Sequence, residues 1–255
     1  MVKLEEIIRF IDSKFKTSTF DNYKEESGIT YNAGRSIKKI GYATNLTPEV
    51  IRLGRDQKVD LIMTHHDAWK FIYGLKDECK RLLNENGISH YYNHLPLDDC
   101  EFGTNSSLAL ELGLDEVKKT CDEDGYKCGV IGEYKEEKDI EGFIDLVESK
   151  LEEKVQFWKF NNKPIKRVFI LCGAGHLTSD MKEAVDEKCD LYLTGEKILY
   201  TVEYAKLHQM NLVVGSHTFI ELFGVKSMAN IVNDEFKDVE VVLLKEQHLE
   251  ANGYE

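Results

Sequence analysis

Apolar residues at Leu4, Ile7, Ile8, Ile11 and Phe15 recur with a 3.6-residue period, which predicts an amphipathic helix at the start of the chain. Residues 17–35 are polar and glycine-containing and read as a loop. A strand is expected over 37–44. The run Asn45-Leu46-Thr47-Pro48-Glu49 then starts a helix, with Thr47 as N-cap and Pro48 at the first helical position, where its missing N–H costs nothing. That helix ends near Gln57, and a buried strand at 59–64 follows. Next come a helix over 77–86 closed by Gly87, a strand at 89–94, and a helix over 105–112 closed by Gly113. The pattern continues with a strand at 128–134, a helix at 140–151, and a strand at 155–160 whose apolar and polar residues alternate with period two. Strands at 167–172, 191–194, 212–217 and 239–244 alternate with helices at 179–187, 198–209 and 219–233.

Strands alternating with helices predict an α/β fold with mainly parallel sheets covered on both faces. An internal echo refines this. Lys58-x-Asp60-Leu61-x-x-Thr64 recurs as Lys188-x-Asp190-Leu191-x-x-Thr194, 130 positions on, and His94-x-x-x-Asp98 is matched by His217-x-x-x-Glu221. Two ordered matches on the same element types read as two similar βαβαβα halves, roughly 30–125 and 165–250. The expected organisation is an N-terminal half (1–127) carrying a double histidine, a strand–helix–strand insert (128–162), and a C-terminal half (163–255) carrying His-x3-Glu. The two halves can share one continuous α/β domain, with a metal cleft between them, where α/β sheets place ligands.

Composition narrows the function. No apolar run approaches the roughly 20 residues needed to span a bilayer, and Met1-Val2-Lys3-Leu4-Glu5-Glu6 carries acids where a signal peptide would be apolar, so a cytoplasmic protein is expected. A formal charge of −13 disfavours non-specific nucleic-acid binding, which depends on neutralising phosphates, but leaves room for a small anionic substrate held by a metal. Cys79, Cys100, Cys121, Cys128, Cys172 and Cys189 contain no C-x-x-C pair and read as free thiols.

The candidate chemistry sits at strand ends. Leu61-Ile62-Met63-Thr64 stops on His65 and His66, Leu212-Val213-Val214-Gly215-Ser216 stops on His217, and Tyr91-Tyr92-Asn93 stops on His94. Adjacent residues on a strand face opposite ways, so His65 and His66 suit two ions side by side, about 3.5–4 Å apart, unless the strand has already turned. His217 and Glu221, at i and i+4, share a helix face; Glu221 can bridge two cations or satisfy first-turn N–H groups. Asp98, two residues after Pro96 in a predicted loop, is a further carboxylate, with His94 as outer ligand or packed partner. Gly173-Ala174-Gly175 resembles a dinucleotide loop only weakly, because its third glycine would fall at Thr178. A tight turn able to contact phosphate through backbone N–H groups is the better reading, and His176 on it is an acid–base or phosphate-contacting candidate. Serine-hydrolase and P-loop motifs are absent.

Together Asp60-Leu61-Ile62-Met63-Thr64-His65-His66, His94-Leu95-Pro96-Leu97-Asp98, Leu193-Thr194-Gly195-Glu196 and Gly215-Ser216-His217 with Glu221 resemble the Nif-three-like dinuclear metal centre proteins, the GTP cyclohydrolase 1 type 2 homologues. The resemblance implies a two-half α/β fold holding two divalent metal ions, and often a ring-shaped homohexamer. By that pattern His66 and Asp98 hold one ion, His65 and His217 the other, and Glu221 bridges. Two positions depart from it: Asp67 follows the double histidine where the family commonly has Pro, and Asn45 stands where it commonly has Asp.

The expected function is a dinuclear-metal-dependent hydrolase acting on a nucleotide or phosphate-containing small molecule, with Glu221 as the catalytic residue. The mixed nitrogen and oxygen donors suit Zn, Fe, Mn or Ni better than Ca. The alternative is a non-catalytic metal-binding ring with a regulatory or chaperone-like role.

Overall fold

The computed structural model describes residues 2–15, 26–123 and 126–250. They form an α/β protein of two compact units, Met1–Gly103 with Gly224–Gln247, and Thr104–Phe223 with His248–Glu255. In chain order the first unit contains β1 (Val2–Lys3), α1 (Leu4–Lys14), β2 (Ser27–Tyr31), β3 (Ser36–Ile37), β4 (Lys39–Asn45), α2 (Pro48–Asp56), β5 (Leu61–His66), α3 (Leu75–Asn86), β6 (Ser89–Asn93) and α4 (Leu95–Asp99). The second contains α5 (Thr104–Glu111), β7 (Asp115–Glu123), β8 (Tyr126–Lys138), α6 (Ile140–Leu151), β9 (Gln156–Trp158), β10 (Ile165–Leu171), α7 (Thr178–Asp186), β11 (Leu191–Thr194), α8 (Leu199–Leu207) and β12 (Asn211–Val214). Helix α9 (His217–Glu235) begins in the second unit, and β13 (Glu240–Leu243) belongs to the first.

The first unit's main sheet has the order β13-β4-β5-β6-β2, with four parallel strands and β2 antiparallel at the edge. Buried Ile62, Val50, Ile51, Leu83 and Ile88 form its core. The predicted caps are present: Thr47 accepts from Val50 N at 3.2 Å ahead of Pro48, and α3 stops where Gly87 adopts φ 60°.

The second unit's sheet has the order β7-β8-β10-β11-β12-β9, in which only β10, β11 and β12 run parallel. Residues 128–162, expected as an insert, contain β9 and most of β8, which are antiparallel neighbours on either side of that trio. Strand β7 follows the same rule, because two residues between β7 and β8 are too few for a helical crossover. Phe143, Val147, Val168, Ile170, Leu193 and Ile220 lie in the core between this sheet and its helices.

Short β1 and β3, and the edge strands β2 and β7, were not expected as separate strands. β2 lies in the stretch read as a loop, and β7 is dense in Asp, Glu and Lys. β2 and β7 are edge strands, which tolerate polar sequence because one side is unpaired. Residues 17–25 of the predicted loop and Cys121's side chain lie outside the described residues; Cys79, Cys128, Cys172 and Cys189 are buried.

The repeated words have a common geometry. Lys58 and Lys188 both take positive φ, 59° and 57°, ending the preceding helix. Oδ2 of Asp60 then accepts from Lys38 N and Lys39 N at 2.8 and 3.1 Å, while Oδ2 of Asp190 accepts from Lys166 N and Arg167 N at 3.0 and 2.8 Å. Each aspartate thereby ties the start of its own strand to the start of the parallel neighbour, β4 or β10. Asp60→Ala and Asp190→Ala are each expected to lower the unfolding free energy by about 1–3 kcal/mol, because two backbone donors lose their acceptor. Urea denaturation reads the effect, and unchanged midpoints would show that the carboxylates do not hold the strand starts.

Candidate metal centre

In the first unit, buried β5 delivers His65 and His66 at its C-terminal end. Their rings touch, with centroids 4.5 Å apart, so the end of the strand no longer sends successive side chains to opposite faces. The hydroxyl of Thr64 donates to the carbonyl of His66 at 2.7 Å, a local bond that draws the strand end round. The same oxygen faces Nε2 of His90 at 2.8 Å, and burial pushes fully buried His90 down to about 4, keeping it neutral.

Each imidazole is oriented through Nδ1. That of His65 donates to the carbonyl of Asn93 at 2.9 Å, that of His66 meets Oδ1 of Asn45 at 2.8 Å, and that of His94 meets Glu26 at 2.6 Å. The hydrogen bond from His94 holds the Glu26 carboxyl below its ordinary range, against the opposing effect of burial. One ring nitrogen from each of His65, His66 and His94 lies within 4.8 Å of the others. Oδ1 of Asp98 stands 3.5 Å from Nε2 of His65, so this carboxylate faces the neighbour of the histidine that the family pattern pairs with it.

Asp98 does not sit in a loop, as expected, but in short helix α4, where Asp98 N reaches the carbonyl of His94 at 3.2 Å. Pro96, with φ already helical, favours that turn. Asp67, the departure after the double histidine, has both oxygens engaged, at 2.7 Å each by Thr30 and Lys76, and serves the loop rather than the imidazole cluster.

The second unit carries its own cluster. β12 ends at Val214, Ser216 Oγ accepts from Phe219 N at 3.2 Å, and α9 starts at His217. One helical turn then brings buried Glu221 beside the imidazole, Nε2 to Oε1 at 3.4 Å. Nδ1 of His217 meets Oε1 of Glu196 at 2.6 Å. Burial opposes charge on His217, but the charge of Glu221 and the hydrogen bonds with Glu196 and Glu221 outweigh it and lift the imidazolium to about 11. The pocket's carboxylates thus favour positive charge at this point. Nδ1 of His176 lies 3.5 Å from the other oxygen of Glu196.

The turn Gly173-Ala174-Gly175 encloses this pair. Gly173 has φ 68°, and a Cβ there would collide with Oε1 of Glu221 and reach within 3.2 Å of Nε2 of His217. Gly195 is equally constrained, since its Cβ would lie 2.8 Å from both Gly173 O and His217 Cα. The glycines therefore serve close backbone approach to the His–Glu pair. Sequence reasoning read Gly173 as part of a tight turn and Glu196 as part of a motif, but gave neither a contact with His217 or Glu221, and it assigned no role to Glu26 or Glu246.

A model of the family described as Duf34/NIF3 (NGG1p interacting factor 3) matches residues 2–249. The chain is 27% identical to a protein named GTP cyclohydrolase 1 type 2 homolog from Pyrococcus abyssi, over 91% of this chain and 94% of the relative. It is 28% identical to one of the same name from Methanocaldococcus jannaschii, over 95% and 99%. Among solved structures, protein ybgI aligns with TM-score 0.85 at 22% identity, covering 97% of this chain and 99% of that one. Reduced HcgD from Methanocaldococcus jannaschii aligns with TM-score 0.79 at 25% identity, covering 96% and 98%.

Gly173→Ala is expected to displace Glu221 and weaken divalent-cation binding by about tenfold or more, the scale on which ligand-supporting residues act. Zinc titration calorimetry measures this, and binding equal to that of the parent would show that the glycine is needed only for its turn.

Proposed function

The chain belongs to the Duf34/NIF3 family, and from that premise we propose that it is a dinuclear-metal-dependent hydrolase acting on a nucleotide or another phosphate-containing small molecule. The ligands we assign are His65, His66, Asp98, His217 and Glu221. One observation carries the reading: three imidazoles converge in one place with every Nδ1 already committed to an acceptor. A histidine so held turns its other ring nitrogen toward the shared space, which is how imidazole ligands are prepared for a transition metal. The His217–Glu221 pair, where carboxylates already favour positive charge, supports the same chemistry.

The donors fit divalent Zn, Fe, Mn or Ni, since imidazole and carboxylate predominate and no cysteine joins the converging groups among the described residues. When bound, paired ions of this kind acidify a water toward neutrality and polarise a substrate oxygen. The protein's own contribution is to fix the donors. Asn93, Asn45, Glu26 and Glu196 hold the imidazoles in place, and Glu221 sets a carboxylate beside Nε2 of His217. The name carried by the relatives supports a nucleotide-like substrate. Self-association into a homohexamer is part of the proposal. Among the described residues no helix is long and apolar enough to cross a membrane.

Elemental analysis of the purified protein is expected to find two divalent ions per chain, and removing them with a chelator to abolish turnover on a panel of nucleotides and phosphoesters. Glu221→Gln is expected to abolish the same turnover while the oligomer measured by light scattering stays intact. Undiminished turnover would remove Glu221 from the catalytic role, and a fully loaded parent inactive on the whole panel would favour a metal-storage or regulatory ring.

A further inference from the structure

Strand β4 ends on Asn45, whose side chain joins two groups far apart in sequence. Its Oδ1 lies 2.8 Å from Nδ1 of His66, and its Nδ2 donates to Oε1 of Glu246 at 2.8 Å. The second oxygen of Glu246 accepts from the backbone N–H groups of Thr44 and Asn45, at 2.7 and 3.3 Å. Glu246 lies just past β13, which pairs in parallel with β4, so the sheet itself brings this carboxylate to the end of β4.

An amide side chain has an accepting end and a donating end, and its neighbours decide which way it faces. An ionised carboxylate only accepts. Glu246 therefore draws Nδ2 of Asn45 to itself and leaves Oδ1 facing the imidazole. The imidazole nitrogen that faces a carbonyl oxygen must carry the proton, which puts the ring's lone pair on Nε2.

We propose that Glu246 is a positioning residue of the metal centre, fixing His66 through Asn45 in the Nδ1–H tautomer that presents Nε2 to a cation. The proposal rests on His66 being a metal ligand, as assigned above. Glu246 acts without touching the metal, and its role depends on the direction of one amide. Burial raises the Glu246 carboxyl to about 7, with Glu49 nearby adding to the rise, while Asn45 and the two backbone donors pull the other way. The relay is accordingly complete at pH above that value.

The test uses the full-length, metal-free, nitrogen-15-labelled protein at alkaline pH, with long-range proton–nitrogen correlation spectra reading the His66 tautomer, and zinc titration of the same samples. The parent is expected to show the Nδ1–H form. Glu246→Gln keeps the shape and an oxygen for the backbone donors but sets an NH2 against the NH2 of Asn45. Asn45 then turns over, the proton of His66 moves to Nε2, and zinc binding weakens by about 10–100-fold. Adding Asn45→Asp to Glu246→Gln places an acceptor between the new amide and His66, and is expected to restore both the tautomer and the affinity. Asn45→Ala, which leaves Glu246 its backbone donors, should give a mixture of tautomers. An Nδ1–H form that persists in Glu246→Gln or Asn45→Ala overturns the proposal, as does a folded double variant that restores neither property. Failure of the parent to bind zinc would instead overturn the ligand assignment and leave the tautomer result to decide the relay.

Discussion

Four imidazoles are each tied down through Nδ1, and this constraint sets the geometry of the strand ends in both units. His65 is held by a backbone carbonyl, His66 by an asparagine oxygen, and His94 and His217 by glutamates. All four contacts fall at the C-terminal ends of strands or in the turns after them, where the main chain leaves the sheet and side chains can converge. The sheets hold those ends in register: β4, β5 and β6 pair in parallel, so Asn45, His66 and Asn93 arrive at neighbouring positions.

Charge is distributed to the same end. A chain with formal charge −13 has carboxylates to spare, but those near the imidazoles are individually committed. Glu26 is held ionised by His94 and Glu196 by His217, the hydrogen bond being the leading cause in each case. Asp67 is likewise paired with Lys76, which neutralises its charge beside the imidazole cluster.

Much of this was readable before any coordinates, and the reason is locality. Thr47 before Pro48, Gly87 after α3, and the i, i+4 pairing of His217 with Glu221 depend on residues within a turn of one another, where spacing determines geometry. The double histidine at the end of an apolar run marked the centre for the same reason. What stayed hidden depends on distance or on the absence of apolar pattern. Glu246 reaches Asn45 across the sheet from the far end of the chain, and Glu26 precedes an edge strand too polar to announce itself. The Gly173 turn was visible as a turn, but its purpose, making room for Glu221, depends on a side chain on a helix much later in the sequence.

The strand-start aspartates bear on how such a chain finds its structure. Parallel pairing is slow because a long crossover must close before any contact rewards it. Asp60 reaches Lys38 across 22 positions and Asp190 reaches Lys166 across 24, about the shortest span that a strand–helix–strand unit permits. A carboxylate that grips two backbone amides at that separation rewards closure of a parallel crossover in each unit. Each sheet thus carries a local clasp of its own at the start of its parallel strands.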